Sequence, residues 1–147
     1  DVLEHLRAPV DALRRALTLL KPHGDVVLSI PNLAHADVRM ALLDGTVPYA
    51  ELGLLDRTHI HWFTYQGFRQ LMADCDLVPV EWRRTVRAPG TTEVPLSARM
   101  KRLASRWFSD DPHATTYQWV VRCRRAGEAS EVPDPVGAPG RRRRLRR

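Results

Sequence analysis

The sequence predicts an α/β fold that opens in the middle of a parallel sheet. Two apolar stretches and the helix between them carry that reading. Asp1-Val2-Leu3-Glu4-His5 has the pattern of the tail of a buried strand ending in a polar cluster. Val26-Val27-Leu28-Ser29-Ile30 is almost continuously apolar, the pattern of a strand buried on both faces. Strand, helix and strand within about 30 residues make a βαβ unit with a right-handed crossover. Open α/β sheets bind ligands just past the carboxyl ends of such strands. That rule directs attention to Glu4, His5 and, after Pro31, Asn32.

The elements follow in order. Pro9 suits the first turn of a helix, where its missing N–H is not needed. Val10, Leu13, Leu17 and Leu20 then share one helical face, with Asp11, Arg14, Arg15 and Thr18 on the solvated side. Lys21-Pro22-His23-Gly24 stops the helix, with Gly24 expected to take the left-handed turn. After the strand, Asn32 is a candidate cap for a second helix with Ala34, Val38, Ala41 and Leu42 as its apolar stripe, ended by Asp44-Gly45. Residues 46 to 63 read as a long loop, and long loops in compact domains are often functional. Thr64 caps a third helix that buries Phe68, Leu71, Met72 and Cys75. Val78, Val80, Trp82, Arg84 and Val86 alternate with their neighbours as a half-buried strand, and Pro79 assigns it to a sheet edge. Residues 88 to 95 are linker. Leu96, Met100, Leu103 and Trp107 mark an amphipathic helix with Arg99, Lys101, Arg102 and Arg106 on its other faces. Tyr117 to Cys123 is a further strand. From residue 125 to 147 Gly, Pro, Ala, Ser, Glu and then Arg dominate, the composition of a disordered tail.

The bulk properties exclude several classes. With 147 residues the chain can bury one core. No apolar run approaches the roughly 20 residues of a membrane span, and the first residues lack the apolar segment of a secretion signal. Cys75 and Cys123 have no metal-ligand spacing and read as packed free thiols of a cytoplasmic protein. The net charge of +6 is accounted for by Arg141 to Arg144, Arg146 and Arg147. The basic balance therefore describes the tail, and any nucleic-acid affinity expected from it is non-specific and salt-dependent. A basic nucleic-acid-binding module is the rival reading.

In this order the pieces resemble the C-terminal half of a class I S-adenosylmethionine-dependent methyltransferase of the ubiquinone-biosynthesis O-methyltransferase type. The resemblance rests on Asp1-Val2-Leu3-Glu4-His5-Leu6, Leu19-Leu20-Lys21-Pro22-His23-Gly24, Val26-Val27-Leu28-Ser29-Ile30-Pro31-Asn32, Arg57-Thr58-His59, Trp62-Phe63-Thr64 and Leu71-Met72-Ala73-Asp74-Cys75-Asp76-Leu77. The family usually has Gly where His23 stands, and often Ala-Gly at Cys75-Asp76. The resemblance implies a Rossmann-like sheet of parallel strands with helices on both faces, closed by an antiparallel hairpin pair. In it the first hairpin strand lies at the edge and the last inserts beside the strand at 25 to 30. It also implies that residues 1–124 are the C-terminal part of the domain, truncated before the end of its fourth strand. The Gly-rich cofactor turn would lie upstream, and this part alone would be inactive. An inactive remnant of a methyltransferase gene is a further alternative.

The chemistry expected is methyl transfer from S-adenosylmethionine to a small-molecule hydroxyl, in which the protein aligns the reactants and helps remove a proton. His5 is the candidate general base, or else a helix cap. The resemblance places Asp1, Val2 and Leu3 along the cofactor. Asp1, Glu4 and His5, with His59 or His61 from the long loop, also suit a divalent ion such as Mg²⁺ or Mn²⁺, which would polarise the acceptor hydroxyl. The alternative is that Glu4 and Asp56 pair with Arg7 or Arg57. Asn32, His59, His61 and Trp62 are the candidate acceptor contacts. The alternatives are that Asn32 is a helix cap and that Trp62 and Phe63 are plain core. The helix near 96–108 either contacts an anionic substrate or membrane surface or is an ordinary solvated face.

Overall fold

A computed structural model of the chain describes residues 1–133 and 136. Leu3–His5 forms a 3-10 turn. It is followed by α1 (Pro9–Thr18), β1 (Val26–Pro31), α2 (Ala36–Leu43), α3 (Tyr65–Asp74), β2 (Leu77–Val86), α4 (Ala98–Phe108), the short α5 (Pro112–Thr115) and β3 (Thr116–Arg125). The three strands form one antiparallel sheet in the order β1-β3-β2. The last strand is thus inserted between the other two. Val26 to Pro31 pair with Cys123 back to Gln118, and Leu77 pairs with Arg125 on the opposite side. β2 lies at the edge, as Pro79 requires: the ring cannot donate to a ladder, and the register shifts at the next residue.

One face of this sheet carries the main core. Leu28 and Ile30 of β1, Trp119, Val121 and Cys123 of β3, and Leu77 and Trp82 of β2 pack against Leu13 and Leu17 of α1 and Tyr65, Phe68, Leu71 and Met72 of α3. Both helices start as their sequences dictate. Pro9 occupies the first turn of α1, and Thr64 Oγ1 accepts from Gly67 N at 3.3 Å to cap α3. A second cluster of Val38, Ala41, Leu54, Leu55 and Val94 joins α2 to the long loop, with half-buried Leu33, Trp62, Leu96 and Tyr117 against it.

Four expectations need correction. The first residues are not strand: Leu3–His5 winds into a 3-10 turn. The Asp1 nitrogen nevertheless donates to Ser29 O at 2.9 Å, so the pentapeptide does lie alongside β1. β1, whose ladder among the described residues is the antiparallel one to β3, is not buried on both faces. Val27 is 64% exposed, because α1 and α3 cover only the side of Leu28 and Ile30. Asn32 does not cap α2. His35 does, its ring Nδ1 accepting from Asp37 N at 3.2 Å. Finally, the left-handed residue after α1 is His23 (φ 57°), not Gly24. Gly24 is needed for room, since a Cβ there would stand 2.9 Å from both the Leu20 side chain and Lys21 O. Asp76 (φ 53°) is the matching left-handed residue after α3.

The chain stays on the fold past residue 124. Arg125 completes β3, Val132 N donates to Pro79 O at 2.9 Å, and Arg69 pairs with Glu131 at 2.5 Å. The Arg-rich stretch 141–147 lies outside the described residues. Among the described residues no helix is long and apolar enough to cross a membrane.

Candidate functional site

The 3-10 turn sets two neighbouring side chains in opposite environments. Glu4 points inward and is 1% exposed, while the His5 side chain is 35% exposed. The long loop folds over this turn. Glu4 O accepts from Ile60 N at 2.9 Å and from His61 N at 3.0 Å, which ties residues 58–61 to residues 4–5. His59 is thereby carried to the buried side. Its Nε2 and that of His5 each stand 4.0 Å from Glu4 Oε1, and the two rings meet edge-on at 4.7 Å. Ligand atoms from all three residues lie within 4.8 Å of one another.

Glu4 is the unusual member. Neither carboxylate oxygen has a hydrogen-bond partner in the structure. A buried, unpartnered carboxylate is costly, and such groups call for a role outside packing. The expected alternative does not apply to it: Arg57 pairs with Glu51 at 2.6 Å, and Asp56 is held by Thr58. The donor set therefore suits a divalent cation, with one carboxylate and two imidazoles converging on one point.

The hydrogen bonds also assign the His5 tautomer. Thr58 Oγ1 donates to Asp56 Oδ1 at 2.6 Å, so it accepts from His5 Nδ1 at 3.0 Å, and Thr58 O accepts from the same nitrogen at 3.2 Å. Nδ1 then carries the proton, and the Nε2 lone pair is left facing Glu4 and His59. Asp56 and Thr58 are thus positioning residues that sequence reasoning missed; the Asp-x-Thr turn was their only signal. Thr58's two hydrogen bonds hold the Asp56 carboxyl below its usual range. Burial, then the neighbouring His5, pushes the His59 pKa down, so His59 is a neutral imidazole near pH 7.

The other candidates are dispersed. Asp1 does not join the cluster: its carboxylate accepts from Gln118 Nε2 and from Ser29 Oγ (3.3 Å), which takes it to the sheet. Val2 is exposed and Leu3 half-buried beside that edge. Asn32 is fully buried. Its Nδ2 donates to His113 O at 2.8 Å and Thr116 O at 2.7 Å, and its Oδ1 accepts from Ala34 N at 3.0 Å. With every polar atom engaged it is a strap between the end of β1 and the start of β3, and it presents nothing to an acceptor. His61 turns to the opposite side of the loop, its Nε2 3.3 Å from Arg7 O. Trp62 stands against His59 with ring centroids 5.6 Å apart, and it closes an apolar pocket of about 230 Å³ with Leu33, Val38, Leu42, Tyr49 and Leu55.

A second buried histidine supplies a control for pH effects. His35 Nε2 donates to Arg87 O at 3.1 Å, and the ring is fully buried. Burial lowers its pKa, outweighing the opposing hydrogen bond and the nearby carboxylates of Asp37 and Glu93. As pH falls through about 6.5 the unfolded chain takes up this proton and the folded chain does not. Stability is therefore present above that pH and lost below it, by at most about 1.4 kcal/mol per pH unit for each such histidine. Melting followed from pH 7.5 to 5.5 is expected to show this slope, and His35→Asn is expected to reduce it, leaving the share of His59. An equal slope in the variant would exclude His35 as its source.

A mixed α/β fold with an antiparallel sheet whose last strand is inserted between the other two is compatible with part of a methyltransferase domain. A family model described as a methyltransferase domain matches residues 1–81, which hold the whole of the Glu4–His5–His59 cluster. The chain belongs to that methyltransferase family. A search of curated proteins finds no match to it.

Proposed function

We propose that this chain forms the acceptor side, and one wall of the cofactor site, of an S-adenosylmethionine-dependent methyltransferase acting on a small-molecule hydroxyl. The ubiquinone-biosynthesis O-methyltransferase type is the subgroup its motifs resemble. The observation that carries the reading is the cluster of Glu4, His5 and His59, set within the matched residues. S-adenosylmethionine supplies the activated methyl carbon when bound, and Val2 and Leu3 offer apolar contact to it beside β1.

The residues of this chain deal with the acceptor. His5 Nε2 offers a lone pair at the cluster, with Thr58 and Asp56 fixing the ring so that this nitrogen, not Nδ1, receives a proton. Glu4, its Oε1 4.0 Å from that nitrogen, is placed to face the imidazolium so formed. Trp62 excludes water from one side of His59. The same three side chains fit Mg²⁺ or Mn²⁺. An ion held by Glu4, His5 and His59 would lower the pKa of a bound acceptor hydroxyl and leave less for a base to do.

Metal titration separates the two versions. If the cluster holds an ion, Mn²⁺ at about 100 times its dissociation constant raises stability by about 2.7 kcal/mol, and the rise is absent in His59→Ala. No shift in melting and no change in methylation on adding Mn²⁺ or Mg²⁺ leaves His5 as a metal-free base.

A further inference from the structure

Helix α4 has more apolar surface than the fold covers. Met100, Leu103, Ala104, Trp107 and Phe108 form one arc of the helix, the spacing of a face made to be buried. Ala104 alone is buried. Trp107 is 51% exposed, and Met100, Leu103 and Phe108 are half-buried. The helix packs on α2, which itself ends in Leu42 and Leu43, 53% and 67% exposed. α4 lies beyond the residues matched by the family model.

The charges on α4 say what kind of surface covers that arc. Arg99, Arg102 and Arg106 follow one another along the flank next to Leu103 and Trp107, and Lys101 sits on the other flank. The helix has no acidic residue. None of these four cations makes an ion pair among the described residues, whereas the sheet arginines Arg83, Arg122 and Arg124 are paired with Glu81 and Asp25. A two-fold contact with a second copy would set this row of arginines against itself. A layer of anionic headgroups over apolar chains complements both features at once: arginines reach the phosphates while the Trp107 indole and the uncovered edge of the arc beside it, at Leu103, enter the acyl boundary.

We propose that α4 docks the protein flat on an anionic membrane surface, with Trp107 inserted at the interface. The arrangement would bring the loop at 46–63 and its apolar pocket near the bilayer, where an apolar acceptor is concentrated. The docking itself does not depend on the reaction proposed above.

The test uses the full chain with vesicles of phosphatidylglycerol and phosphatidylcholine, against vesicles of phosphatidylcholine alone. Acyl chains carrying bromine report indole depth by quenching. The expected result is co-sedimentation with the anionic vesicles only, and, in a Trp62→Phe background that removes the half-buried indole of the loop, quenching that disappears on Trp107→Phe, since Trp82 and Trp119 are buried in the core. The triple change Arg99→Glu, Arg102→Glu, Arg106→Glu lowers partitioning by at least about tenfold, with far-UV circular dichroism and melting confirming that it folds. Sedimentation without quenching of Trp107 overturns the proposal, because the arginines at 141–147 can adhere by charge alone. So does failure to sediment, or concentration-dependent self-association that shields Trp107 without lipid.

Discussion

Glu4→Gln is expected to lower methyl transfer by the full-length gene product by roughly 10²–10⁴-fold, the range of a lost acid–base or charge-stabilising group. Its melting temperature should stay level or rise. The two halves of the prediction have one cause. Glu4 is a buried charge with neither oxygen hydrogen-bonded; the Asp1 nitrogen at 3.9 Å and the His5 and His59 Nε2 atoms at 4.0 Å all stand beyond hydrogen-bond reach of Oε1. A carboxylate in that position costs stability, on the order of 1–3 kcal/mol for an unsatisfied polar group and more for a charged one. Glutamine keeps the volume, removes the charge and can donate to the His5 Nε2 lone pair. A side chain kept at a cost to folding is kept for its chemistry. Retained activity would remove the cluster from the reaction, whereas a large loss of stability would make Glu4 a packing residue.

Asn32→Ala should unfold the protein more readily by about 2–4 kcal/mol, one of the larger single-residue effects outside the apolar core. The change strands the His113 and Thr116 carbonyls and the Ala34 N–H, three buried groups that each need a partner. Asn32→Asp is the sharper variant. It preserves the acceptor for Ala34 N but turns a carboxylate oxygen toward two carbonyls, which favours the protonated acid. Its folded pKa is then raised above the unfolded value near 3.9. Stability is fully present below that pH and declines as pH rises toward the folded value. Urea unfolding at pH 5 and 7.5 should therefore find Asn32→Asp closer to the parent at the lower pH. An acceptor-binding Asn32 would instead leave both variants as stable as the parent and alter only activity.

Much of this was legible in the chain. Pro9, Thr64 and the apolar spacing after each placed α1 and α3, because helix starts and stripes are local properties. Pro79 placed β2 at an edge for an equally local reason. The left-handed turns at His23 and Asp76 fall where the resembled family carries glycine, so a family pattern predicted a backbone conformation that the residue types did not. Glu4, His5 and His59 were legible as a set by residue type, but Asp1 was wrongly included: nothing local announces that Gln118, a distant residue, captures its carboxylate. Asn32 was misread for the same reason. Capping residues and straps look alike until the partner, here the backbone at 113–116, is known. The 3-10 turn at Leu3–His5 escaped because five residues are too few to distinguish a strand's tail from a single tight turn.

The position of β3 carries a consequence for biosynthesis. It is the middle strand, and it is also the last of the three to leave the ribosome. β1 and β2 have no ladder to each other, so nothing can hold them edge to edge while residues 116–125 are still being translated. The sheet is completed only after synthesis has passed Arg125, in a closing step of high contact order. A nascent chain stalled before Thr116 would display the edges of β1 and β2 that β3 covers, which makes early termination a hazard for aggregation and a site of chaperone dependence.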